Sequence, residues 1–450
     1  MVNHFRHRAL PLLAKHVCHT QVLFWTYEIK YAHAMVLAAS DLETSAVLSA
    51  RASQVIPGPG GMYGHLSKGV NRLTPNFPQF YERGLGATVW DVDGRPILDA
   101  MCAWGPMVLG YADQGVIAAQ ERQLRLGDTL NGPSPLMVEL AELLVDTVDH
   151  ADWALFAKNG NDATASAVRI ARAATGRSKL LKARKAYHGA SDAFTPIPVG
   201  VAPGDRQNII EFDYNDLNSL EAAAEAHAGD VAAIIVTPHQ HDGIVPQAGV
   251  DPSFARGVRA LCDRTGAVLI LDEVRTAMRI DLRGAWTPLG VAPDITCVSK
   301  SIGNGAAISA VLGVDSLKEA AGSIYVTGSF WFSAAPMAAA IETVTRLRDN
   351  DGIAAMVAAG TRLREGLQTA AADQGVGILQ TGPVQMPLLT FDDDPELSKA
   401  FLFASVALDH GAYFHPWHNW FMSTAHTPEV IDAMVAAAVP AFTAVAEEHS

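Results

Sequence analysis

Three short stretches carry residue types that could do chemistry together. Asp272 closes the apolar run Val268–Leu271 and is followed by Glu273 and Val274. In a parallel sheet, ligands bind beyond the carboxyl ends of the strands, so a carboxylate there could hold a protonated ring nitrogen. Lys300 follows a second apolar run, Ile295–Val298, within Ser299-Lys300-Ser301-Ile302-Gly303-Asn304-Gly305. Burial penalises an ammonium group, whereas a lysine consumed in an imine avoids much of that penalty and can act as a general base once released. The third stretch is the turn Lys158-Asn159-Gly160-Asn161-Asp162-Ala163, which opens an alanine-rich helix. Backbone N–H groups at a helix start attract a phosphate, Gly160 permits close approach, and Asn159 or Asn161 could add side-chain donors. Each stretch alone has a plainer reading: an exposed acid, a lysine reaching solvent, an ordinary N-cap.

These loops need a scaffold, and the surrounding pattern supplies one. Trp153–Ala157, Ser178–Ala183, Ile209–Phe212, Val231–Val236, Val268–Leu271 and Ile295–Val298 are short runs rich in β-formers, with helical patterns at Ala163–Thr175 and Phe254–Thr265. Such runs separated by helices predict buried parallel strands. Ahead of them, Ala87–Leu98 reads as a hairpin about Asp93-Gly94, and Pro135–Val148 as a helix. After them, Ile353–Ala372 and Pro428–Glu447 read as helices, with strands at Leu388–Phe391 and Tyr413–Phe414. The expected division is an extension over 1–40, a segment over 41–110 contributing to a small domain, a large domain over 111–340, and a small α/β domain over 341–450.

Composition narrows the classes of function. The 450 residues suffice for two packed domains, and 49% hydrophobic with 18% charged residues is a globular composition. A net charge of -14 repels a phosphate polymer, so no nucleic-acid partner is expected. Cys18, Cys102, Cys262 and Cys297 are scattered, without a C-x-x-C pair, which fits reduced cysteines and a cytoplasmic location. No apolar run reaches about 18 residues; Val435–Ala446 is short and contains Pro440, so no membrane partner is expected. The first 39 residues lack the apolar core and cleavage site of a signal peptide and read as an extension of unknown purpose, with Met35 as an alternative start and a targeting arm as the competing reading.

Other clusters are less specific. His239, Gln240, His241 and Asp242 could hold a metal, but a loop after a strand end suits a substrate pocket better, and no metal is expected. His415, Trp417, His418 and Trp420 either line a pocket mouth or pack in the core. Arg275 and Arg279 could each meet a substrate carboxylate or a nearby acid. Gly58-x-Gly60-Gly61 lacks a preceding strand and is no dinucleotide fingerprint.

From about Thr44 to Thr427 the chain resembles the class-III aminotransferases, which are fold-type-I pyridoxal-phosphate enzymes, and within them the glutamate-semialdehyde aminomutase branch. The likeness is carried by Trp90-Asp-Val-Asp-Gly94, Trp104-Gly-Pro-Met-Val-Leu-Gly110, Ala167–Gly176, Tyr187-His188-Gly189, Leu271–Arg279, Gly290-Val-Ala-Pro-Asp294 and Lys300–Gly305. It implies an α/β fold whose large domain has a mixed, mostly parallel sheet, with a smaller α/β domain beside it. It also implies pyridoxal 5'-phosphate as cofactor, carried by Lys300 as a Schiff base, with Asp272 on the ring nitrogen as electron-sink support. Tyr187, with His188 beside it, would cover one ring face and Val274 the other. Asn159, Gly160 and Asn161 fall where the family has its Ser-Gly-Thr phosphate cradle. Ser329 occupies the place of a threonine that reaches the phosphate from the neighbouring subunit, which implies a homodimer with the active site at its interface.

Four departures bear on the substrate. Asn159-Gly-Asn-Asp-Ala163 replaces Ser-Gly-Thr-Glu-Ala, and Thr237-Pro238 replaces Glu-Pro. The arginine after Ile-Pro-Gly in the aminomutases has no clear counterpart in Ile56–His65, and the segment from Gly189 to Phe212 is short for the aminomutase gating loop. The expected reaction is transamination between an amine or amino acid and a keto acid, ketone or aldehyde. An aminomutase, a racemase, or a cofactor-binding protein without turnover are the alternatives. Trp104, Met62, Tyr63, His239, Arg275 and His415 are the candidate substrate contacts.

Overall fold

The computed structural model describes residues 44–64, 74–241 and 245–448. The N-terminal extension with Met35 and Cys18, and Asp242 of the suggested metal cluster, lie outside the described residues. The fold divides into two compact units. The described part of the first holds helix Ser45–Val55, the Pro59–Gly61 turn, Pro78–Phe80 and Val92–Gly94. Within it Gln79 ties the unit together, accepting a hydrogen bond from Ser49 Oγ and donating one to the Gly60 carbonyl.

The second unit contains everything else that is described. Strands β1 (Tyr81–Leu85), β2 (Thr88–Asp91) and β3 (Pro96–Asp99) form an antiparallel meander. The expected turn between β2 and β3 is present, with Gly94 at φ +84, a conformation that favours glycine. Ala412–Tyr413 joins β3 in parallel, so Phe414, expected in that strand, falls outside the ladder.

Seven strands make the central sheet: β4 (Trp153–Ala157), β5 (Lys179–Ala183), β6 (Ile209–Phe212), β7 (Val231–Val236), β8 (Val268–Asp272), β9 (Ile295–Val298) and β10 (Ser309–Gly313), in the spatial order β4-β10-β9-β8-β7-β5-β6. From β9 to β6 every pair is parallel, as the apolar runs predict. The strand β10 was not expected from sequence; it lies antiparallel between β4 and β9. Its Gly313 sits under the Trp153 indole, where a Cβ would lie 2.2 Å from Cζ2.

Helix α1 (Gly160–Thr175) packs Ala163, Ala167, Ile170 and Ala171 on this sheet, and its small side chains let the backbone come close. Helix α2 (Pro252–Thr265) covers another part of the sheet with Phe254, Val258 and Leu261, each worth roughly 1.5–3 kcal/mol when fully buried. It is bounded by the Asp251 cap with proline at its start, and by Gly266 at φ +70.

Toward the C-terminus, α3 (Gly352–Asp373), α4 (Ser398–Asp409) and α5 (Pro428–Glu448) share one core, in which Phe403 and Phe442 lie 4.7 Å apart. Helix α5 runs longer than the apolar stretch read from sequence. Its 21 residues, with mean hydropathy 1.6, reach the length and apolarity of a membrane span. Ile431, Met434, Ala438 and Phe442 are buried against α3 and α4, which explains the hydropathy as core packing.

Candidate active site

Strand β10 runs against both β4 and β9, so β4 is parallel to β9 and the carboxyl ends of six strands share one edge of the sheet. The loops leaving that edge carry Lys158–Asn161, Lys185–Gly189, Thr237–His241, Asp272–Arg275 and Ser299–Gly305. Asp272 and Lys300 lie on neighbouring strands: Asp272 pairs in register with Cys297, and Lys300 follows three positions later.

Asp272 is 5% exposed. Its Oδ1 accepts the Val274 N–H at 3.0 Å and its Oδ2 lies 2.7 Å from His188 Nδ1. The His188 ring is buried against Phe194, with ring centroids 5.6 Å apart, and its Nε2 has no hydrogen-bond partner among the described residues. Val274 turns its side chain onto Gly160, where a Cβ would stand 2.5 Å from Val274 Cγ1, so only glycine fits there. Asn159 caps α1 in a reciprocal box with Asp162. Asn161 Oδ1 accepts the Ala190 N–H at 3.0 Å, and Thr164 Oγ1 donates to the His188 carbonyl at 2.7 Å. The amide oxygens of both asparagines are therefore engaged by backbone N–H groups, while Gly160 and Asn161 present helix-start N–H groups that have no intrahelical acceptor. Thr237 is buried and spends its hydroxyl on the His239 carbonyl at 2.9 Å.

Lys300 starts a tight turn at φ +44 and is half-buried. Ser299 Oγ donates to the Ile308 carbonyl at 3.0 Å, and Asn304 clamps the Leu109 N–H at 2.9 Å and the Gly110 carbonyl at 3.0 Å, so both ends of the turn are fixed. Gly105 lies beside the lysine: a Cβ there would be 3.5 Å from Lys300 Cδ and 3.1 Å from the Phe421 ring. Gly105 follows three successive non-glycine residues in the left-handed region, Cys102, Ala103 and Trp104, at φ +48, +52 and +67. Such residues cost roughly 1–2 kcal/mol each. Buried side chains hold the turn at both ends. Asp99 accepts the N–H groups of Met101 and Cys102 at 2.8 and 2.9 Å, and Arg279 donates to the Gly105 carbonyl at 2.6 Å.

Sequence reading offered Arg279 to a substrate carboxylate or a nearby acid, and the structure corrects this. Its guanidinium is wholly buried over the Phe421 ring and bonds the carbonyls of Gly105 and Met422. Burial lowers its pKa to about 10, which leaves it charged at neutral pH.

The turn presents Trp104 to two histidines. Its ring centroid is 5.3 Å from that of His415 and 5.1 Å from that of His418. His239 and His241 form a second pair 4.7 Å apart. Burial pushes His239 down to about 4 and His415 to about 3, and holds His241 and His418 well below the usual imidazole range. The Arg275 charge adds to burial at His239, His241 and His418, and the Lys300 charge acts on His241 and His418. Arg275 Nη1 donates to the His241 carbonyl at 3.1 Å and Asn419 Oδ1 at 3.2 Å, joining the two histidine loops. Trp104, His239, Arg275 and His415 thus gather near Lys300, and His418, Asn419 and Phe421 join them although the sequence singled out no role for them at the lysine. No group of residues that could hold a metal ion occurs among the described residues.

Tyr187 is 43% exposed and lines an open cavity of about 870 Å³ with Ala186, Phe194 and Arg206; its lining includes neither Lys300 nor Asp272. Ser329 is exposed, on a loop that also exposes Tyr325 and Phe330. Met62 and Tyr63 belong to the first unit.

A family model described as Aminotransferase class-III matches residues 70–444. The chain belongs to this family. It is a pyridoxal-phosphate-dependent aminotransferase, similar at 47% identity over 403 residues to the aminopentol aminotransferase of Sphingopyxis macrogoltabida, covering 90% of this chain and 94% of that one. A glutamate-1-semialdehyde 2,1-aminomutase of Bacillus subtilis (strain 168) is 32% identical, covering 81% of this chain and 90% of its own, so both branches of this aminotransferase family stand among the relatives. Among solved structures, the PLP internal aldimine form of the FumI protein from Sphingopyxis sp. MTA144 superposes with a TM-score of 0.87 at 47% identity, covering 89% of this chain and 96% of that one. An omega-transaminase from Sphaerobacter thermophilus superposes at 0.81 with 25% identity, covering 90% and 98%. The residues of this aminotransferase fit the cofactor: a glycine-only approach at Gly160, open N–H groups at the start of α1, a buried carboxylate at Asp272, and an amine at the adjoining strand end.

Proposed function

We propose that this aminotransferase holds pyridoxal phosphate between Gly160 and Lys300 and moves an amino group from an amine bearing hydroxyls to a keto acid, ketone or aldehyde. The cofactor, when bound, supplies an electron sink for the carbon that carries the amine. Lys300 Nζ would take the proton from that carbon and deliver it across the imine nitrogen, as a base on a half-buried, fixed turn can. Asp272, oriented by His188 and the Val274 N–H, would pair with the ring nitrogen. The Gly160 and Asn161 N–H groups would bind the phosphate, and Tyr187 and Val274 would cover the ring. The hydroxylated donor is suggested by the relative, whose name is that of an aminopentol enzyme.

The observation that supports this reading most is the in-register neighbourhood of the Asp272 and Lys300 strands at the edge where α1 begins. Borohydride reduction of the holoenzyme followed by peptide mapping tests it. The label is expected on Lys300, and a label elsewhere, or none, overturns the assignment. Transamination also predicts that the cofactor absorbance bleaches with an amine donor and returns with a keto acid. An aminomutase would regenerate the starting absorbance without any keto acid.

We further propose a homodimer, in which Ser329 of one protomer reaches the phosphate of the other. The exposed Tyr325 (80%), Phe330 (66%) and Phe332 (40%) flank Ser329 and form the kind of apolar surface that a partner covers. A cytoplasmic location is proposed from Cys102, Cys262 and Cys297, all buried and free.

A further inference from the structure

The histidines around Trp104 fix their own proton positions. His415 Nδ1 accepts the backbone N–H of His418 at 3.1 Å and that of Trp417 at 3.4 Å. The single proton of the neutral ring therefore sits on Nε2. His418 is the reverse. Its Nδ1 lies 2.6 Å from the Asn419 carbonyl oxygen, which can only accept, so Nδ1 carries the proton and Nε2 keeps a lone pair. Burial keeps both rings neutral. One ring offers a donor and the other an acceptor.

His415 Nε2 is buried without a hydrogen-bond partner among the described residues, an arrangement proteins avoid unless the group has a use. The two ring centroids are 5.7 Å apart, so the donor of one ring and the acceptor of the other sit on neighbouring side chains. Both rings pack against Trp104, whose neighbour Gly105 lies where an added Cβ would stand 3.5 Å from Lys300 Cδ, and His418 feels the lysine charge.

We propose that His415 and His418 together read a neutral hydroxyl next to the amine-bearing carbon of the substrate. This rests on the transamination reading and deepens it: the donor class is vicinal amino alcohols. The hydroxyl accepts from His415 Nε2–H and donates to His418 Nε2. A carboxylate in that place meets the first need but sets an anionic oxygen against the His418 lone pair, and a methyl group meets neither. Arg275 bonds Asn419 Oδ1, and so holds the residue that fixes the His418 tautomer.

The test uses the holoenzyme and three amines on one skeleton: leucinol, leucine, and the amine in which the leucinol hydroxyl is replaced by hydrogen. Expected is a kcat/KM for leucinol at least about tenfold above either other amine. His415→Leu and His418→Leu each bring that ratio toward unity while still binding pyridoxal phosphate. His415→Gln, which keeps an N–H donor near the position of Nε2, retains most of the preference. A wild-type enzyme that takes the deoxy amine or leucine as well as leucinol overturns the hydroxyl reading and leaves transamination standing, as does a His415→Leu variant with its preference intact. Absence of bleaching by all three amines overturns both.

Discussion

Asp272 Oδ2 and His188 Nδ1 lie 2.7 Å apart, out of contact with solvent, on loops that leave two different strands of one sheet. A buried carboxylate with a fixed N–H donor is held in one orientation and stays ready for a cationic ring. His188→Leu removes the donor and leaves the carboxylate under-satisfied, which costs about 1–3 kcal/mol. The expected outcome is a lowered Tm and a Kd for pyridoxal phosphate raised about tenfold, read by titrating cofactor absorbance. Unchanged values for both would show that the contact orients nothing.

Gly160 and Val274 make a second measurable contact. An added methyl at Gly160 would stand 2.5 Å from Val274 Cγ1, well inside van der Waals contact. Gly160→Ala is expected to destabilise the protein by about 1–3 kcal/mol through overpacking and to weaken cofactor binding. Val274→Ala in the same chain makes room, so the double variant should recover stability relative to Gly160→Ala. Strict additivity in thermal unfolding would show that the two side chains do not compete for space.

The chain wrote some of this plainly and some of it not at all. Val231–Val236, Val268–Leu271 and Ile295–Val298 were legible because strands buried on both faces are apolar throughout. Ser309–Gly313 was not, because its short mixed run depends on pairing with two strands that are distant in sequence. Lys300 and Asp272 stood out as charged residues at the ends of apolar runs. Arg279 looked equally available, since nothing local reveals that carbonyls 174 and 143 positions away take its guanidinium. His418 was noted only as part of an aromatic cluster, because a tautomer is set by tertiary hydrogen bonds and no residue pattern encodes it.

Acid sensitivity follows from the buried histidines. His150, His239 and His426 are lowered to about 4 and His415 to about 3, each by burial, from an ordinary 6.5. Below pH 6.5 the unfolded chain binds protons that the folded rings refuse, so stability falls as the pH drops toward 4, by up to about 1.4 kcal/mol per pH unit per ring. Glu273 works in the opposite sense. Burial raises it to about 7, so its contribution is present at low pH and is lost between 4.5 and 7. Burial raises the Asp99 carboxyl as well, but two carboxyls do not offset several imidazoles, and Tm is expected to fall steadily from pH 6.5 to pH 5. His426→Gln should flatten that slope by about one ring's share. A Tm that holds or rises on acidification would contradict the neutral assignment of these histidines.

The proposed sharing of Ser329 between protomers can be separated from any local role. Lys300→Ala and Ser329→Asp should each be inactive as homodimers, the first for want of the amine and the second because a carboxylate repels the phosphate. In a heterodimer of the two, one site combines two damaged parts and the other combines an intact Lys300 with an intact Ser329. Random mixing makes half the dimers heterodimers, so refolding the variants together should recover roughly a quarter of the wild-type activity. Sedimentation should show dimers throughout, and Phe330→Glu should shift them toward monomers with weaker cofactor binding. Were Ser329 to serve its own protomer, mixing the two inactive variants would recover nothing, since every protomer would carry its own defect.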